Sequence, residues 1–269
     1  MKTVKKLGLI AGGGKTAILV AQAAHGQGVE VVSIALDEKV REELERFSRK
    51  VYSYSAGQTD KIIKTLRNEG VKEVAILGKV DKKVLLKPWK LDWRAIRSLK
   101  RVMEYGDDKL FKIIQEELAK DGLELVDQTR FLEGLLVKKG TLTLREPTKK
   151  EWEDIRFGFR MAKKIGGLDI GQTIVVKDKT VLAVEAIEGT DEAIRRGCCL
   201  GQERAIVAKV SRPDQDFRLD VPTVGVTTIE VMREGKAVAL ALEAEKTLVL
   251  DIKELVYLAE EASIAIVAL

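Results

Sequence analysis

The first half of the chain alternates short apolar runs with helix-length segments, a pattern that few folds accept. Val4–Ile10, Val29–Leu36, Val51–Tyr54, Glu73–Leu77 and Leu123–Val126 read as strands. Thr16–His25, Glu38–Phe47, Thr59–Asn68, Asp92–Tyr105 and Asp107–Lys120 fall between them with helical periodicity. Gly106 ends the fourth of these helices and Asp107 caps the fifth. Strands separated by segments this long cannot close hairpins; they pair in parallel through crossover helices. Val29–Leu36 is apolar almost throughout, as a strand covered on both faces must be. The expectation is an α/β chain that opens with a Rossmann-like parallel sheet.

The second half has a different rhythm. Residues 130–147 read as connector, which predicts two domains, 1–132 and 133–269. Thr148 and Glu151 form a Thr-x-x-Glu capping box opening a helix to Ile165, with Gly166-Gly167 as its stop. Thr173–Lys177 and Thr180–Glu185 flank Asp178-Lys179 as a hairpin. A short helix over Asp191–Arg196 and a strand over Ala205–Val210 follow. Thr227 and Glu230 suggest a second capping box before a helix to Glu234. Strands at Ala237–Leu242, Thr247–Leu250 and Ile264–Leu269, with a helix over Ile252–Ala262, complete a mixed α/β domain. A ligand is expected in the cleft between the two domains.

Composition removes several chemistries. There is one His, His25, and the two Cys are adjacent, Cys198 and Cys199, so a finger-type zinc site lacks ligands. Adjacent cysteines would form a strained bridge and read as reduced thiols in a cytoplasmic protein. Lys2, Lys5 and Lys6 before an apolar run imitate a signal peptide. The interruption at Gly12–Lys15 and the strand that follows favour a first strand, loop and helix instead. No run approaches the roughly 20 apolar residues of a spanning helix. With 47 Lys plus Arg against 42 Asp plus Glu, the charge is +5. That charge is diffuse, without an arginine-rich run or an aromatic RNA-binding motif, so no nucleic-acid partner is expected.

Four segments carry candidate chemistry. Gly12, Gly13 and Gly14 lie between a strand and a helix, where backbone can approach a phosphate at a helix N-terminus. The spacing fails the P-loop pattern, whose first glycine would fall at Leu9. It fits Gly12-x-Gly14-x-x-Ala17 with Asp37 after the second strand. Gly78 and Lys79 end a later strand of the same sheet, on the edge that faces a ligand in parallel sheets. Glu185, Glu188 and Asp191 crowd a strand-to-helix turn with Gly189 and Thr190. Ser211–Gly225 holds Asp214, Asp216, Asp220, Arg212 and Arg218, oxygen donors suited to Mg²⁺ and guanidiniums suited to phosphate.

Taken in order, these segments resemble the LpxI-type UDP-2,3-diacylglucosamine pyrophosphatases of lipid A biosynthesis. The matching stretches are Gly8–Gly14, Leu77–Val80, Gly106–Leu110, Gly140–Thr143, Leu168–Gln172 and Val184–Asp191, followed by Gln215-Asp216, Asp220–Gly225 and Glu243–Asp251. The resemblance implies Mg²⁺-dependent hydrolysis of UDP-2,3-diacylglucosamine to 2,3-diacylglucosamine 1-phosphate and UMP. It also implies a cytoplasmic enzyme in peripheral contact with the inner membrane surface, where its lipid-linked UDP-sugar lies; a homodimer is the assembly considered. It makes Asp220 and Asp216 the catalytic candidates, with Glu185 beside them as a metal ligand. Gly12, Gly13, Gly14, Gly78, Lys79, Gln172, Thr173, Glu188, Gly189, Thr190, Asp191, Lys209, Arg218 and Thr223 become substrate-binding candidates. Two departures are visible: Thr16-Ala17 stands where the family often has Leu-Pro, and Asp214 where glycine is common. The alternatives are a nicotinamide-dependent Rossmann oxidoreductase and a non-catalytic nucleotide- or lipid-binding protein.

Overall fold

The computed structural model describes residues 5–78, 91–98, 110–218 and 220–269. Lys79, Gly106 and Asp107 lie outside the described residues, as do parts of the two helices expected over Asp92–Lys120. Within those two helices, 93–98 and Leu110–Ala119 are helical. The chain divides into two compact units, Met1–Leu132 with Phe217–Asp220, and Glu133–Asp216 with Val221–Leu269.

The first unit is built on five strands: β1 (Lys6–Ala11), β2 (Glu30–Ala35), β3 (Lys50–Ser53), β4 (Glu73–Leu77) and β5 (Glu124–Leu125). They pair in the order β3-β2-β1-β4-β5, every pair parallel. In β1 and β2 all residues but the first are buried, which is what helices on both faces require. The helices are α1 (Lys15–Gly26), α2 (Arg41–Glu45, entered through a 3₁₀ turn at Glu38–Val40), α3 (Thr59–Asn68) and α4 (Leu110–Ala119). Strand order reverses at β1, which has β2 on one side and β4 on the other. The carboxyl ends of β1 and β4 are therefore the switch point where doubly wound sheets take ligands.

The second unit has a six-stranded mixed sheet. Its central strands β9 (Ile206–Lys209), β11 (Ala239–Leu242) and β13 (Ala265–Ala268) are parallel. Antiparallel β7 (Thr173–Lys177) and β8 (Thr180–Val184) flank one side, and β6 (Gly140–Thr141) the other. β10 (Thr223–Val224) and β12 (Leu248–Val249) form a separate parallel pair. Alternation along the central strands sorts the core into two layers. Ala208, Ala239, Ala241 and Ala265 pack with Ile155 and Ala162 of α5 (Lys149–Gly167). Val207, Leu240, Leu242 and Ile266 pack on the other face, with Ile194 of α6 (Thr190–Gly201), Ile229 and Met232 of α7 (Val226–Glu234), and Leu255 of α8 (Ile252–Glu261).

The turn at Asp178-Lys179 is a hairpin, both residues at positive φ (49° and 56°), and its two N–H groups donate to the buried Asp154 carboxylate. Two expectations need correction. The helix expected over Asp191–Arg196 runs on to Gly201, because Gly197 continues it rather than breaking it. A Cβ there would lie 2.5 Å from Val175, so glycine is what lets α6 lie close on β7. The second capping box does not form. Gly225, extended at φ −146°, is already the N-cap, and Thr227 falls inside the helix. Of the two thiols, Cys199 is exposed and Cys198 buried, and burial pushes Cys198 up to about 11.

The first capping box does form. The Thr148 side chain accepts from Glu151 N–H, and the Glu151 carboxylate accepts from Thr148 N–H at 2.8 Å. The same carboxylate also binds Arg145 and Arg204. Thr148→Ala is expected to lower unfolding free energy by about 1 kcal/mol in chemical denaturation. A change within error would remove the cap from the forces holding α5.

Candidate active site

At the switch point of the first unit, two glycine motifs meet. Gly12 N–H donates to the Leu77 carbonyl at 2.7 Å, carrying the β1–β4 pairing one residue past the strand. Gly78 sits at φ +86°, and a Cβ there would lie 2.7 Å from Gly13 O and 2.8 Å from Gly12 C. Only a residue without a side chain lets the end of β4 lie against the glycine loop at that φ. Gly14, at φ 105°, is the N-cap of α1, which has no side-chain cap and no acidic residue in its first turn. The first-turn residue is Lys15, so the dipole end and a cation favour an anion together. Ala17 is fully buried, as close helix-to-sheet packing needs. Asp37 serves its own chain: its carboxylate caps the Glu38–Val40 turn by accepting from Lys39 N–H.

Gln128, which the sequence did not single out, belongs to the same unit. It is 3 % exposed; its side-chain amide donates to Ile76 O at 2.8 Å and to Arg218 O at 3.1 Å, and its N–H donates to Phe217 O. One buried glutamine thus ties the end of β4 to the segment that ends in Asp220. Nothing in the local sequence, Asp127-Gln128-Thr129, marks it, because its partners are 52 and 90 residues away.

In the second unit, most of the expected residues gather at the carboxyl end of β9. Lys209 Nζ donates to Thr190 Oγ1 and to Thr223 O, both at 2.9 Å. Thr190 Oγ1 donates in turn to Glu185 Oε1 at 2.8 Å, and Gln172 N–H donates to Glu185 Oε2 at 3.3 Å. Glu188 is turned to another task. It binds Arg196 at 2.6 Å, and hydrogen bonds from its own N–H and from Arg196 hold its carboxyl below the usual range. Gly189, at φ 86°, caps α6 without a side-chain bond. Asp191 and Glu192 already set negative charge in that first turn, so an added anion here depends on Lys209, unlike at α1. Thr173 is 1 % exposed inside β7, and its hydroxyl has no hydrogen-bond partner, so a ligand meets none of its surface.

Asp216 and Asp220 are half-buried on one loop. That loop starts with a closed turn, Arg212 N–H to Gln215 Oε1 and Gln215 N–H to Arg212 O, and Arg212 also pairs with Asp169. No three His, Cys, Asp or Glu side chains among the described residues form a metal cage. Glu185, expected as a metal ligand, accepts from Thr190 and Gln172, with Lys209 next in line. Mg²⁺ does not need a cage: it keeps several waters and takes one or two carboxylates plus substrate phosphates. Asp216 and Asp220 supply carboxylates of that chemical type.

Residues 6–135 match the LpxI N-terminal domain and residues 138–267 the LpxI C-terminal domain. The chain belongs to the LpxI family. It is 32% identical over 268 residues to the UDP-2,3-diacylglucosamine pyrophosphatase LpxI of Caulobacter vibrioides, covering 96% of this chain and 95% of that one. Among solved structures, an ADP complex of N5-carboxyaminoimidazole ribonucleotide synthetase aligns with 72% of this chain and 36% of its own, at 15% identity and TM-score 0.30. The biotin carboxylase domain of Hydrogenobacter thermophilus 2-oxoglutarate carboxylase covers 67% and 36%, at 14% identity and TM-score 0.27. Scores this low carry no argument.

Gly78→Ala combines an unfavourable φ with a collision against the Gly12-Gly13 backbone. It is expected to destabilise the first unit by about 1–3 kcal/mol and to weaken nucleotide binding, measured by thermal melting with and without UDP. A variant with unchanged melting and unchanged UDP stabilisation would remove the glycine contact from the site.

Proposed function

We propose that this chain is a pyrophosphatase that hydrolyses UDP-2,3-diacylglucosamine to 2,3-diacylglucosamine 1-phosphate and UMP, using Mg²⁺ held by Asp216 and Asp220. The observation that carries the reading is the end-to-end match to a relative bearing that activity in its name. It favours this reading over the Rossmann oxidoreductase. The engagement of Asp37 in its own turn is consistent with that preference, since a dinucleotide enzyme uses such a residue on the ribose. Lipid A biosynthesis is the process this activity serves. The substrate's acyl chains put the work at a membrane surface, by peripheral contact; among the described residues no helix is long and apolar enough to cross a bilayer.

In this reading each candidate residue has a role. The Gly12–Gly14 loop and the start of α1 offer backbone N–H groups and the positive dipole end to a phosphate of the UDP moiety. Lys209, fixed by Thr190 and Thr223, presents a positioned positive charge for charge developing on the leaving phosphate, and Arg218 adds a guanidinium. Lys79, outside the described residues, is a further candidate cation by sequence. Asp216 and Asp220 orient the attacking water, whose oxygen ends on one phosphorus while the bridging oxygen leaves with the other. Bound Mg²⁺ supplies neutralisation of the pyrophosphate charge.

Asp220→Ala and Asp216→Ala should each remain folded and lose on the order of 100-fold or more in turnover, measured as UMP release from the lipid nucleotide. Near-normal turnover in both would refute the loop assignment. Chelation should abolish UMP release and added Mg²⁺ restore it; persistence in excess chelator would refute the metal role.

A further inference from the structure

A buried ion cluster lies where the Asp216/Asp220 loop begins. Ser211 follows β9 and Glu243 follows β11, and these strands are parallel neighbours with Lys209 opposite Leu242. Both residues therefore leave the same edge of the sheet. Ser211 is 0 % exposed and Glu243 8 %. Glu243 Oε2 accepts both the N–H and the hydroxyl of Ser211, each at 2.8 Å. Lys163, from α5, donates to Ser211 O at 2.9 Å and to both Glu243 oxygens at 3.0 and 3.1 Å. Lys246 binds Glu243 Oε1 at 3.0 Å.

Every polar atom of Ser211 is thus held by a charged partner. Burial alone would raise the Glu243 carboxyl, but the bonds from Lys246, Ser211 and Lys163 outweigh it and hold it below the usual range. An ion pair this buried is a poor source of stability. Desolvation offsets most of its attraction, and apolar substitutes are often as stable. What it does supply is one fixed backbone geometry at the residue from which the loop departs. The closed turn Arg212–Gln215 follows at once, and Asp216 comes next.

We propose that Glu243, Lys163 and Ser211 are positioning residues that set the path of the chain from Ser211 to Asp216. The proposal rests on the catalytic reading of the Asp216/Asp220 loop. None of the three is among the residues given a substrate contact, so weakening the cluster misplaces the Asp216 carboxylate without removing such a contact. Misplacement of that kind is read in kcat rather than KM.

The test measures Mg²⁺-dependent UMP release and amide hydrogen exchange in Ser211→Ala, Lys163→Met, Lys163→Arg and Asp220→Ala. Ser211→Ala deletes one hydroxyl and leaves the ion pair, which keeps the test usable if Lys163→Met folds poorly. Both should lower kcat by on the order of 10-fold with KM within about 2-fold, and speed exchange across residues 212–216. Lys163→Arg should recover most of kcat. If Asp220→Ala is inactive while Ser211→Ala and Lys163→Met keep kcat, or change KM alone, the positioning role is overturned and the loop reading stands. If Asp220→Ala keeps full turnover, the loop reading falls and the positioning role with it.

Discussion

Parallel pairing is the constraint on which both units depend. Strands that run the same way deliver all their carboxyl ends to one edge of the sheet, and the chain must turn there whatever its sequence. In the first unit that edge receives Gly12–Gly14 from β1 and Gly78 from β4, joined by the Gly12-to-Leu77 hydrogen bond. In the second it receives Lys209 and Ser211 from β9 and Glu243 from β11. Each of these residues is within a few positions of a parallel strand's end.

The two edges differ in charge design. The loop before α1 has no side-chain cap, no first-turn acid and a lysine, a combination that leaves the dipole end for an incoming anion. The start of α6 already carries Asp191 and Glu192, and its neighbouring cation, Lys209, is fixed by Thr190 and Thr223. A surface site of the first kind is worth only about 0.3–1 kcal/mol per interaction. Phosphate recognition therefore has to be shared among several such groups, in keeping with candidates spread over many segments rather than one motif.

The division of labour among carboxylates has the same logic. Glu188, Glu151 and Asp154 are committed to Arg196, to Arg145 and Arg204, and to the hairpin N–H groups. Glu243 is committed to two lysines and a serine. Glu185, shared between Thr190 and Gln172, orders a turn. Asp216 and Asp220 stand on an irregular loop, where positioned functional groups are most often found.

The sequence by itself determined a good deal. The strand-helix alternation, the capping box at Thr148, the hairpin at Asp178-Lys179 and the family resemblance are local or ordered along the chain, so they can be read in one pass. Tertiary structure alone decided the rest. It showed that Gly197 and Gly201 continue a helix, because their reason is the β-strand side chains pressed against them. It showed that Glu185 orders a turn through Thr190 and that the Thr173 hydroxyl is buried. It also revealed Gln128, Lys163, Ser211 and Glu243, which bind one another or other residues 32 to 90 positions away and so leave no periodicity or spacing to read. Local chemistry is written in neighbouring letters; a buried polar group acquires its role only from the groups that folding brings to it.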